Sequence, residues 1–264
     1  MFATINGINM FYHDMGEGDP LVLLHAGIAD SRMWDKQLKA FAEHYRVIAP
    51  DLRGFGQTEI PNGEFAHYRD VYALLQHLGI DQAHFVGASM SGETSINLAL
   101  TYPALVKSLV LSGSAVGGYE FEDEDTIDVW EEVGEALQAG DLSRGVELEV
   151  MLWVVGSNRT EAQVDDAIQL KVGEMILRSY TIPSGEGIEE ELEPPAIDRL
   201  SEIKCPTLVL IGDHDVPDMQ VIAEMLASGI EGAKKVVISN TAHLPNMEKP
   251  DEFNQLVLDF LKEV

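Results

Sequence analysis

Short, mostly apolar runs alternate with helical spacings through the first 111 residues of this chain. Residues 21–24, 46–49, 83–86 and 106–111 read as buried strands, dominated by Leu, Val, Ile and Phe. Between them, 33–43, 68–78 and 93–101 carry apolar residues at helical intervals, as at Val71, Leu74, Leu75 and Leu78. Pro50 stops the second strand, Gly79 closes the second helix and Pro103 follows the third. A strand with no polar face must be covered on both sides. The pattern therefore dictates an α/β fold with a mainly parallel sheet flanked by helices. Ahead of it, 2–5 and 8–13 flank Asn6-Gly7, a strong hairpin signal.

The rhythm breaks at Gly113. From there to about Pro195 the chain offers helical stretches at 120–137, 145–155 and 161–179 and no convincing strand. Strand signals return at 207–211 and 235–238, and a last helix, 251–262, follows Pro250. The expected organisation is a core of residues 1–113 and 196–264 with a helical cap, residues 114–195, inserted after the sixth strand. Such an insert is most simply a lid over the strand ends, where α/β folds bind ligands.

Charge narrows the partners. Forty-five acidic against 17 basic residues leave a net −28 over 264 residues, which repels nucleic acid and anionic membrane alike. Residues 117–193 alone hold 21 Asp and Glu against four Lys and Arg. A solvated face accounts for most of this. Salt adaptation, or a preference for neutral or cationic substrates, is the sharper reading. Self-repulsion of this size is screened by salt, with a Debye length of about 10 Å at 0.1 M. The melting temperature should therefore rise in moderate NaCl, and glycerol at matched osmolarity should not reproduce the rise. A melting temperature that falls steadily with salt would show attractive pairs to dominate. One cysteine, Cys205, allows neither an internal disulfide nor a multi-cysteine metal cluster. It precedes Pro206 at a strand start and reads as a small buried hydrophobe. The apolar runs are too short to span a membrane, and Met1-Phe-Ala-Thr-Ile-Asn has no basic or apolar leader. Cytoplasmic residence is expected.

The sharpest local feature is Gly87-Ala88-Ser89-Met90-Ser91-Gly92, where a strand ends and a helix begins. That is the setting of the G-x-S-x-G nucleophile elbow, which needs small neighbours because the serine backbone is strained. Gly87 meets that need, and Ser91 stands where a second glycine is usual. The bland alternative for Ser89 is a helix N-cap. A serine nucleophile needs a base and an orienting acid. His243, after the last strand, is the base candidate. The acid comes from Gly212-Asp213-His214-Asp215, so the order is Ser, Asp, His.

At this point the chain resembles the α/β-hydrolase superfamily over almost its whole length. Leu24-His25-Ala26-Gly27 resembles the oxyanion loop, with Ala26 in a usual glycine position. Asp51-Leu-Arg-Gly54-Phe-Gly56-Gln-Thr58 resembles the D-x-R-G-x-G-x-S/T turn. Gly212-x-x-Asp215 resembles the acid turn, and Ala242-His243-Leu-Pro with Glu248-x-Pro250 the histidine loop. The resemblance implies Ser89 as nucleophile, His243 as base, Asp215 as orienting acid, and the backbone N–H groups of Met90 and Gly27 as oxyanion hole. Asp213 and Asp218 remain rivals to Asp215. His25, Asp51 and Arg53 are expected to be structural, and Trp34, Trp130 and Trp153 to be core rather than pocket. The implied activity is a serine hydrolase cleaving carboxylic esters, with a small-molecule ester as partner and neither cofactor nor metal. A lactonase or C–C bond hydrolase would use the same triad, a perhydrolase side activity fits Ser-Met at the elbow, and a non-catalytic binding module would leave a reactive-serine probe unbound. Monomer and homodimer both remain open.

Overall fold

The computed structural model describes residues 1–264 except Ser184 and Glu186, both inside the expected cap. Its strands are β1 (Phe2–Ile5), β2 (Ile8–Met15), β3 (Pro20–Leu24), β4 (Arg46–Pro50), β5 (Gly63–Phe65), β6 (Ala83–Ala88), β7 (Val106–Ser112), β8 (Gly187–Glu189), β9 (Thr207–Gly212) and β10 (Lys234–Ile238). One sheet runs in the order β1-β2-β4-β3-β6-β7-β9-β10. β1 and β2 are antiparallel to their neighbours, and the pairs from β4 to β10 are parallel. Asn6 and Gly7 turn the first hairpin with φ of 45° and 81°, the left-handed pair such a tight turn demands.

Alternation along each strand feeds two cores. In β3, Val22 and Leu24 join one apolar cluster, Leu21 and Leu23 the other. β6 does the same, with Phe85 on one side and Val86 on the other. Helices α2 (His67–His77), α3 (Met90–Thr101) and α7 (Pro217–Gly229) cover the first face, α1 (Asp35–Phe41) and α9 (Pro250–Lys262) the second. This two-sided cover is why the strands carry no polar face.

From β3 the chain crosses to β4 on one side, while β6 leads to β7 on the other. Strand order thus reverses between β3 and β6, the crevice in which open α/β sheets take ligands. The loop holding Gly27 leaves β3 there, and Ser89 leaves β6 beside it.

The excursion between β7 and β9 contains α4 (Glu124–Gln138), α5 (Leu142–Glu149), a π-helical turn (Val150–Val155) and α6 (Asp166–Thr181). Some of its acidity is structural. Asp123, Asp141 and Asp165 each accept a backbone N–H at the start of a helix, where the helix dipole favours negative charge.

Several expectations need correction. β8 lies in the stretch expected to hold no strand, and it pairs in parallel with β5, a strand also not expected. At three residues, neither shows a readable alternation. The stretch 161–179 is a 3-10 turn (Glu161–Gln163) and then α6, because Asp165 starts a fresh helix. The stretch 33–43 is likewise a 3-10 turn (Ser31–Trp34) followed by α1. α3 begins at Met90, three residues before its expected start, and a short α8 (Pro245–Glu248) follows the histidine loop. Among the described residues no helix is long and apolar enough to cross a membrane.

Candidate active site

Ser89 sits at the junction of β6 and α3 with φ 54° and ψ −122°. A non-glycine residue in this region carries about 1–3 kcal/mol of backbone strain and persists only when its surroundings hold it. They do. The Ser89 N–H donates to Ser112 at the end of β7 (3.0 Å), and its carbonyl accepts from Gly92 (2.8 Å) and Ala115 (3.0 Å). A Cβ on Gly87 would overlap the Ser91 carbonyl, and one on Gly92 would overlap Ser114. Gly92, which sequence reasoning did not single out, is therefore as constrained as Gly87. Ser91 is fully buried, and its hydroxyl donates to the His25 carbonyl. The residue that departs from the usual glycine thus ties the nucleophile helix to the loop after β3.

That loop is braced by His25. Its Nε2 accepts from the Leu52 N–H (3.0 Å), so Nδ1 carries the proton and donates to the Ala26 carbonyl (2.8 Å). Burial lowers the His25 pKa and keeps the ring neutral, as this pattern requires. Asp51 accepts from the Ser31 and Gln57 N–H groups (2.9 and 2.8 Å), and Arg53 makes a buried bidentate pair with Asp70. Gly27 faces Met90: a Cβ there would lie 3.6 Å from the Met90 sulfur. The two expected oxyanion donors are thus neighbours. Met90 opens α3, where backbone N–H groups have no partner within the helix.

Asp215 and His243 meet beneath this point. His243 Nδ1 lies 3.0 and 2.9 Å from the two Asp215 oxygens, and both residues are buried. The Val216 N–H also donates to Asp215 (2.9 Å). Two glycines make room. A Cβ on Gly212 would overlap the carbonyls of Thr241 and Ala242, and one on Gly113 would press at 3.2 Å on both Asp215 and His243. Gly113 directly follows Ser112, the partner of Ser89, so the elbow and the Asp–His pair meet across the end of β7. The Ser89 hydroxyl makes no hydrogen bond to His243. Such contacts often tighten only around a substrate.

The rivals to Asp215 have other employment. Asp213 is exposed, with only long contacts from the Thr241 N–H (3.4 Å) and the His214 ring (4.0 Å). Asp218 is buried and accepts from the Tyr119 hydroxyl (2.6 Å) and from the Glu122 and Asp123 N–H groups. Burial, then this carboxylate, push the Tyr119 phenol up to about 12. Asp218 therefore anchors the chain entering the 114–195 segment. Asp218→Ala should destabilise the protein by on the order of 3 kcal/mol, read from urea unfolding, by leaving these donors unmet. Burial pushes the Cys205 thiol up to about 11, which leaves it a poor nucleophile. Among the described residues no three His, Cys, Asp or Glu converge on a metal position.

Two partners were not legible in the sequence. Trp153 is buried in the core, as expected, and in addition its ring centroid lies 4.4 Å from that of His243 and its carbonyl accepts from the His243 N–H (3.2 Å). Trp130, expected in the core but 37% exposed, and Phe121 extend this aromatic chain, at 6.1 and 4.6 Å between successive rings. Trp34 is fully buried core, as expected. Arg159, also buried, pairs bidentately with Glu248 (2.6 and 3.3 Å) and donates to the carbonyls of Val154 and Val155. Glu248 in turn accepts from the Ala242 N–H (2.7 Å). The 114–195 segment therefore grips the histidine loop through one buried ion pair. Nothing at position 159 marks it among the four basic residues of that region.

Comparison with known proteins agrees with this fold. Residues 19–148 match the family model described as the alpha/beta hydrolase fold. The chain is 30% identical over 272 residues to a 2-hydroxy-6-oxononadienedioate/2-hydroxy-6-oxononatrienedioate hydrolase of Paraburkholderia phymatum, covering 96% of this chain and 91% of that one. It is 28% identical to a 3-oxoadipate enol-lactonase of Acinetobacter baylyi, covering 89% and 85%. A thermophilic esterase from Thermogutta terrifontis superposes with a TM-score of 0.82 at 26% identity, covering 100% of this chain and 98% of that one. With its reversed strand order, strained Ser89 and buried Asp215–His243 pair, this chain belongs to the α/β-hydrolase superfamily.

Proposed function

We propose that the protein is a serine hydrolase that cleaves carboxylic esters through an acyl-enzyme intermediate. The observation that carries this reading is Ser89, held at positive φ by the end of β7, where the next residue, Gly113, packs against a buried histidine whose Nδ1 is fixed on a carboxylate. With Nδ1 committed to Asp215, His243 offers Nε2 as the base. Ser89 Oγ attacks the ester carbonyl and its proton passes to Nε2. The oxyanion is received by the N–H groups of Met90 and Gly27, each worth roughly 3–4 kcal/mol of barrier when well aimed. Collapse breaks the C–O bond, and the alcohol leaves with the proton from Nε2. Water, deprotonated by the same nitrogen, then releases the acid and restores Ser89. Asp215 stabilises the imidazolium in both halves. Residues 114–195 act as a helical cap, and Trp153 on His243 excludes water from the base.

A second reading, cleavage of a lactone or of a C–C bond by the same triad, is favoured by the reaction classes of the relatives. The relative named for a dioate acts on a doubly anionic compound. Among the described residues, Glu93 lies one helical turn along α3 from Ser89 and Glu149 lies by Trp153 and His243, which favours neutral or cationic esters. The test is a panel of p-nitrophenyl esters of increasing acyl length beside simple lactones and a vinylogous diketone. Turnover of esters above the other two classes is expected. Turnover of the diketone alone would replace the ester reading with the C–C one.

A further inference from the structure

A cavity of about 200 Å³ opens beside α3 and is lined in part by His67, Met90, Glu93, Asn97, Glu189 and Glu191. Its charge is uncompensated. Glu190 is paired with Arg69, and Arg53 with Asp70. Among the described residues, Glu93, Glu189 and Glu191 have no Lys or Arg partner. His67 Nε2 lies 3.7 Å from Glu189, but burial pushes that imidazole down to about 3, so it is neutral. Burial, then repulsion from Glu93, Glu191 and Asp70, push Glu189 up to about 7, and burial raises Glu93 as well.

Two buried atoms point to what is missing. Among the described residues, Asn97 Oδ1 and His67 Nδ1 have no hydrogen-bond partner, although their residues are only 6% and 3% exposed. Buried polar atoms are seldom left unpaired. In the Nε2–H tautomer the neutral His67 ring presents Nδ1 as an acceptor. Ionised carboxylates, amide oxygen and imidazole nitrogen are all acceptors, so the complementary ligand is a cationic donor, whose charge would hold Glu93 and Glu189 in the ionised form that burial and mutual repulsion disfavour. The absence of a three-ligand metal cluster among the described residues turns the choice to an organic cation. A primary ammonium supplies three N–H donors and a full charge.

Position ties the cavity to the nucleophile. Glu93 is one helical turn from Ser89, a rise of about 6 Å, and Met90 both lines the cavity and opens the proposed oxyanion hole. We propose that this cavity is a subsite for a protonated primary amine on the substrate, making amine-bearing esters the preferred class. The inference rests on the hydrolase reading for its link to catalysis. A net −28 adds long-range attraction for such cations.

Binding and turnover test it separately. Ser89→Ala protein should bind n-butylammonium saturably by calorimetry, and n-butanol should not compete. Adding Glu93→Gln and Glu189→Gln should weaken that binding about 10- to 100-fold, as expected for loss of charge-assisted hydrogen bonds. Asp128→Asn, which removes an exposed charge elsewhere, should leave it unchanged. Both glutamines relieve repulsion, so these variants should fold, which circular dichroism checks. In the Ser89 background, kcat/KM for methyl 6-aminohexanoate should exceed that for methyl heptanoate. The ratio should fall about 10- to 100-fold in the double glutamine variant. No saturable ammonium binding, or a ratio indifferent to Glu93 and Glu189, overturns the subsite. Binding that follows the glutamates while both esters stay inert supports the ammonium site and counts against the ester reading instead.

Discussion

Ser89→Ala should lower kcat by about 10⁴-fold or more while leaving the fold intact, because it removes the nucleophile and only one oxygen atom. Ser91→Gly is the control that gives this result its meaning. Glu93 would be too large for the small position required two residues after Ser91, were Ser91 the nucleophile. The structure supplies an independent reason, since the Ser91 hydroxyl is buried and spent on the His25 carbonyl. Ser91→Gly should therefore keep activity within about tenfold of wild type, a change under ~1.4 kcal/mol in barrier. An active Ser89→Ala beside a dead Ser91→Gly would overturn the register and each role drawn from it.

Asp215→Asn should cost a comparable factor, on the order of 10⁴ in kcat, with the two-residue neighbour Asp213→Asn changing it less than about threefold. The argument is tautomeric. Both Asp215 oxygens lie within 3.0 Å of His243 Nδ1 and hold the proton there, leaving Nε2 to accept one from Ser89. An amide can present its NH₂ to Nδ1 and drive the proton to Nε2, which then cannot act as base. Asp213 touches neither His243 nor Ser89. Steady-state kinetics on the two variants decides between them. Near-wild-type kcat in Asp215→Asn would remove this residue from the mechanism.

The sheet was legible because its signals are local. Runs such as Leu21-Val-Leu-Leu24 need cover on both faces, and Asn6-Gly7 can turn at positive φ. The positions of Ser89, Asp215 and His243 were legible for a related reason. A strained turn needs Gly87 nearby, and a chain passing under the histidine loop needs Gly212. What escaped depends on contacts between residues far apart in sequence. β5 and β8 are three residues each and exist only as each other's partner, with paired residues 124 positions apart. Trp153 has the spacing of a core residue, and only the fold turns its ring onto His243. Arg159 and Glu248 are separated by 89 residues, and neither is unusual until both are buried together. The acidic cavity joins Glu93 of α3 to Glu189 in β8, so it vanishes from any reading that lacks that short strand. Net charge gave the one hint, a preference for neutral or cationic substrates, and it carried no location.

The most direct measurement is covalent trapping. Wild-type protein treated with a fluorophosphonate probe should gain one adduct, mapped by peptide mass spectrometry to Ser89, and lose activity in the same proportion. The His243→Ala variant should label far more slowly, since its serine has no base. An adduct on Ser91, or no adduct on the folded wild-type protein, would contradict the assignment of Ser89 as a histidine-activated nucleophile.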